Sequence, residues 1–181
     1  MKAGLKSSKG NIKWEVGKWY KHDGEVSLCN GGFHASENII DAMGFVNMGV
    51  LAKVEVKGKH EKQDDKQAWE YMKIVKAWKW EKKDSVALSI YAAELCIDNF
   101  EKKYPDDKRP RQAIEAAKKW LEDPTKANQI AAESAASAAW SAASAAWSAA
   151  WSAAESAEKQ KILDKCHDWI VKRTKSLEEI K

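Results

Sequence analysis

The 181-residue chain has no apolar run near the roughly 18 to 20 residues that span a bilayer, and residues 1–11 lack the apolar middle of a signal peptide. A membrane-spanning role is thereby disfavoured, and the cytoplasm is the expected compartment. Cysteine is scarce: Cys29, Cys96 and Cys166 are odd in number and far apart, which favours reduced thiols over a disulfide framework. Arginine is absent from the first 108 residues. In residues 1–83, 16 lysines stand against 11 acidic residues, a net of +5, while residues 84–181 carry a net of −1. Lysines this scattered, with no arginine among them, read as a solvated basic face rather than a base-reading nucleic-acid surface, although an acidic partner would suit them.

Chemical signatures are also missing. His22, Cys29, His34 and His60 are the potential metal ligands of one region, but no CxxC or HxxxH spacing occurs and no metal or cofactor is expected. Cys166 and His167 are adjacent on a helical segment and so point about 100° apart, poor geometry for a nucleophile and its base. Gly31-Gly32 lacks the lysine and further glycines of a phosphate loop. Asp64-Asp65 and Asp106-Asp107 each precede an expected helix, where capping explains them better than paired acid–base work.

What is present divides at residue 83. Residues 1–83 have β texture with turns: Ile12–Val16 and Glu25–Cys29 are expected strands, Ser36 caps a short helix carrying Ile39, Ile40, Ala42 and Met43, and Val50–Val56 is a half-buried strand closed by Gly58. Asp64-Asp65 is expected to cap a short helix with Ala68, Trp69 and Met72. Residues 72–80 continue that helix or form a strand; strand is the preferred reading. Residues 84–181 are read as a helical bundle. One helix begins at Asp84 or Ser85 and stops before Pro105; a second opens near Pro110 with Ala113, Ile114, Ala117, Trp120 and Leu121 as its buried stripe. Asp123 caps and Pro124 opens a third. A last segment, 159–180, places Ile162, Leu163, Cys166, Trp169 and Ile170 on one face, continuous with the third helix or after a break. The expected fold is therefore α+β, a small β-rich domain (1–83) followed by a helical bundle (84–181).

The third helix contains the stretch 129–158, built almost wholly of Ala, Ser and Trp. Alanine has the highest helix propensity and lets neighbouring backbones approach closely. Trp140, Trp147 and Trp151 recur on one side, and each ring covers about 150–250 Å² when buried. They face the bundle core, or they form a docking strip for another protein or a second copy of this chain.

Three resemblances follow from particular residues. Trp14-Glu-Val-Gly17, Tyr20, Leu28-Cys29, Gly32-Phe-His-Ala35, Val54-Glu-Val56, Gly58 and Asp64-Asp-Lys66 resemble an uncharacterised GFHA-motif domain of phage and prophage proteins, with Ser36 and Ile39 departing from its pattern. Asp106-Asp-Lys-Arg-Pro-Arg-Gln-Ala-Ile-Glu115, with Trp120 and the Ala-rich stretch, is similar to the helical immunity-protein family of bacterial toxin–immunity systems. Together these imply a non-enzymatic, protein-binding inhibitor from a phage or mobile element. It would act on a bacterial host protein in the host cytoplasm, either as an anti-defence factor, such as an anti-CRISPR-like inhibitor, or as a toxin-immunity protein. The alternative comes from the order of Gly32–Ser36, a helix and Leu51–Gly58, which resembles the central segment of ADP-ribosyltransferases. It implies a degenerate, nucleotide-binding relative using Phe33 and His34.

Overall fold

The computed structural model describes residues 5–7, 12–43, 49–134 and 156–180. The chain is α+β. It forms two compact units, Met1–Glu81 with His167–Lys181, and Lys82–Cys166. Residues 167–181, grouped with the helices on sequence grounds, thus return to the first unit.

The first unit is organised on a long hairpin, β3 (Val50–Lys62) and β4 (Gln67–Lys79), rich in the β-branched and aromatic residues that suit a pleated surface. Its connection is tight: the Gln63 N–H donates to the Lys66 carbonyl at 2.9 Å, leaving Asp64 and Asp65 at the exposed tip. The helix expected after these aspartates is therefore a strand, since Asp suits a turn as well as an N-cap. On its other side β4 carries three short antiparallel partners in line. These are β2 (Phe33–Ala35) on Gln67–Trp69, β1 (Trp19–Lys21) on Tyr71–Lys73, and β5 (Glu179–Ile180) on Ala77–Trp78. The strands expected at 12–16 and 25–29 are reduced to single bridges, Lys13 to Lys6, Val16 to Ile74 and Ser27 to Gly31. β3 does not stop at Gly58; it shifts register there and continues to Lys62.

One sheet face is apolar. Tyr20, Phe33, Ala52, Val54, Met72, Ile74, Ala77 and Ile180 pack with Leu5 and Trp14 from the N-terminal segment, and Ile74 is fully buried. A side chain of this size contributes roughly 1.5–3 kcal/mol when buried. The short helix α1 (Ile39–Met43) is capped by Asn38, not Ser36: the Asn38 Oδ1 accepts the Ile40 N–H at 2.9 Å.

In the second unit α2 (Lys82–Lys103) ends two residues before Pro105, and α3 (Arg109–Glu122) has its proline in the first turn. Ile90 and Ile97 of α2 meet Ile114 of α3, with Val86, Ala93, Ala117 and Leu121 around them. Thr125, rather than Asp123, supplies the cap of the next helix, α4 (126–134), its Oγ1 accepting the Asn128 N–H at 3.2 Å. α5 (Ser156–Thr174) belongs to the second unit as far as Cys166 and to the first from His167 on, and Cys166 and Ile170 are buried. The expected long Ala/Ser/Trp helix lies mostly outside the described residues, and Trp140, Trp147 and Trp151 lie wholly outside them.

Candidate functional site

Three surfaces gather polar chemistry. The first is the α2–α3 turn. Tyr104 donates its N–H to Phe100 and closes α2, and Asp107 stands just before Lys108, the N-cap of α3: its Oδ1 accepts the Arg109 N–H at 3.1 Å and Nε at 2.9 Å, while Oδ2 accepts Nη2 at 2.7 Å. The Arg109 guanidinium holds the Asp107 carboxyl below its ordinary range. Arg111 grips Glu101 with two bonds of 2.6 and 2.7 Å and lowers that carboxyl likewise, and Lys118 bridges Glu94 and Glu115. Asp106, Asp107, Lys108, Arg109 and Gln112 line an open depression here. Both Asp107 oxygens are thus engaged by Arg109.

The second surface is the turn at Cys29, a non-glycine residue at φ 72°. Its N–H donates to His34 Nε2 at 3.0 Å, and the Lys66 ammonium donates to its exposed Sγ at 3.1 Å. Because His34 Nε2 already accepts a backbone proton, the ring nitrogen that would serve as base to a thiol is engaged elsewhere. Phe33, the other residue expected to hold a nucleotide, is 7 % exposed and set edge-on against Trp14, 5.1 Å between centroids. Its ring is part of the core, which leaves no open aromatic face for a ligand to stack on.

Residues 79–160 match the family profile described as "Imm-5 like putative immunity protein". Residues 1–84 match a second, described as "Domain of unknown function (DUF7666)". The α2–α3 turn lies within the immunity match, and the sheet and the Cys29 turn lie within the other. No curated protein and no solved structure matches the chain. The phage association of the GFHA residues is not carried by the second match.

The third surface was missed as a site from sequence. On the sheet face opposite the core, Trp19 of β1 lies beside Lys73 of β4, and Lys57 of β3 beside Tyr71 of β4. The Lys57 ammonium sits 4.3 Å from the Trp19 ring centroid and 5.5 Å from that of Tyr71; Lys73 is 5.0 Å from Trp19, and Lys21 is 5.9 Å from Tyr71. Lys73 also pairs with Glu55. The signal available was the exposed-charge alternation Lys53, Glu55, Lys57 along β3. Among the described residues, no group of three or more His, Cys, Asp or Glu side chains is placed to hold a metal ion, and no helix is long and apolar enough to cross a membrane.

Proposed function

We propose that the chain is a non-enzymatic binding protein of the toxin-immunity type, whose helical unit engages a bacterial toxin protein. The observation that carries this reading is the match of residues 79–160 to an immunity-protein family. The arginine- and carboxylate-rich α2–α3 turn supports it, because bidentate pairs fix charges in the geometry that protein recognition uses. Trp140, Trp147 and Trp151 are proposed as aromatic anchors for the partner, on the strength of their spacing alone, since aromatic residues dominate binding hot spots. A mobile-element or phage origin, with a host defence component as target, is the second form of the same reading, and a host cytoplasmic location goes with both.

The test is co-expression. Toxin proteins encoded beside this gene are induced in bacteria with and without the chain, and growth is measured. Neutralisation, together with a complex that survives gel filtration, supports the immunity form. Failure to neutralise, with restored plaque formation on a host whose defence otherwise blocks the phage, transfers the proposal to the anti-defence form. Failure of both removes it. The Trp140→Ala, Trp147→Ala, Trp151→Ala triple variant then separates docking from core. Lost neutralisation with unchanged melting assigns the rings to the partner, whereas a lowered melting temperature assigns them to the interior.

A further inference from the structure

We propose that the outer face of the sheet docks a carboxylate-rich surface of another protein. The face lies within residues 19–76, outside the immunity match at 79–160, and stands or falls independently of that reading.

The pairing of the strands creates a local excess of positive charge. Ala52 and Ala77 are partners on the core side, so the next pair, Lys53 and Lys76, are both exposed on the outer side, where like charges directly opposite one another are unfavourable. The nearest carboxylate to Lys76, that of Glu179, is 3.9 Å away. Among the described residues no carboxylate lies within ion-pair distance of Lys53 or Lys57. Lys57 is held instead over Trp19 and Tyr71. Resting on the rings restricts the lysine before any partner arrives, which reduces the entropy lost on binding. Lys53 and Lys57 thus stand without a carboxylate partner among the described residues, and Lys57 is held in place by the two rings.

A protein partner suits these groups better than a nucleic acid does. Single strands bind such surfaces by stacking bases on open aromatic faces. Here the Trp19 ring is already covered by the Lys57 and Lys73 ammonium groups. Residues 1–83 contain no arginine for bidentate phosphate contacts. Glu55 and Glu179 also stand among the lysines, which repels an unbroken line of phosphates but leaves room for separated carboxylates.

The experiment uses the full chain and fluorescein-labelled decaglutamate, followed by anisotropy at low ionic strength. One variant is Lys53→Gln, Lys57→Gln, Lys76→Gln. The control removes the same charge from the second unit, as Lys102→Gln, Lys103→Gln, Lys119→Gln. We expect salt-sensitive binding by the parent, a loss of about tenfold or more in the sheet variant, and less than about threefold in the control. Circular dichroism checks that each variant folds, and Lys57→Gln alone, expected to weaken binding about threefold, serves if the triple does not. Equal weakening by both triples would reduce the effect to net charge and overturn the proposal, as would no binding of decaglutamate. Tighter binding of a ten-residue oligothymidylate, lost in the sheet variant, would make the face a nucleic-acid surface instead.

Discussion

Gly31 offers the sharpest test of the first unit's architecture. A Cβ built at this position would lie 2.1 Å from the Glu25 carbonyl oxygen and 3.3 Å from its carbon. An ordinary carbon–oxygen contact is about 3.3 Å or longer, so Gly31→Ala must separate these backbones by roughly 1.2 Å. That displacement acts on the turn in which Ser27 N–H donates to Gly31 O at 3.2 Å and Gly31 N–H to Ser27 O at 3.1 Å. Overpacking costs about 1–3 kcal/mol and each weakened hydrogen bond about 1 kcal/mol, offset by about 0.4–1 kcal/mol from the stiffer unfolded chain. A net loss of about 2–3 kcal/mol follows, which in a domain of roughly 100 residues lowers the melting temperature by about 10–20 °C. Gly17 is the internal control: its φ is +84°, yet an added Cβ meets nothing within 4 Å. Gly17→Ala therefore bears only left-handed backbone strain, about 1–2 kcal/mol before the same offset. Thermal melts followed by circular dichroism and tryptophan fluorescence compare the two. A Gly31→Ala protein that melts with the parent, or a Gly17→Ala protein destabilised as much as Gly31→Ala, would refute the steric argument.

Three further outcomes are expected. Ile74→Ala, at a fully buried position, should lose about 2–5 kcal/mol in urea titration, whereas Val171→Ala, 43 % exposed, should stay within about 0.5 kcal/mol of the parent. The Glu101 and Asp107 carboxyls are held below their ordinary values of 4.5 and 3.8 by Arg111 and Arg109. Their contribution is complete above those values and declines as pH falls through the depressed ones, so helical ellipticity should weaken on acidification, and less steeply in Arg111→Ala. Burial, with Cys96 nearby, pushes the Cys166 thiol up. A thiol reagent at neutral pH should accordingly label Cys29 and Cys96 in the folded protein, and Cys166 only after denaturation.

The α+β character and the second half of β4, from Met72 onward, were legible in sequence, and the reasons for the misreadings are local. Alternation across Ile74, Lys76 and Trp78 looked imperfect because Val75 is an extra residue: Ile74 pairs with Val54 but Lys76 with Lys53, so the inward phase changes at that point. Ala68, Trp69 and Met72 have helix-like spacing, yet long pairing with β3 overrides that weak preference. β1, β2 and β5 are two or three residues long, shorter than any periodic pattern that could reveal them. The Cys29–Lys66 contact joins residues 37 apart, and the Trp19–Lys57 contact joins two strands that are not paired with each other, so neither left a motif. Phe33 was read as a ligand-binding candidate rather than as buried, because a short apolar-polar run does not reveal which side of a strand the core will take.

The pairing of Ala77 with Ile180 has a consequence for synthesis. A ribosome releases β4 long before residues 178–180, so the nascent sheet must wait, with the edge of β4 at Ala77–Lys79 unpaired, while all of Lys82–Cys166 emerges. Lys82–Cys166 is in effect an insertion into an unfinished sheet. An open edge is a template for the wrong neighbour. Its lysines, Lys76 and Lys79, are therefore well placed as gatekeepers on the growing chain, discouraging association with other copies until β5 arrives.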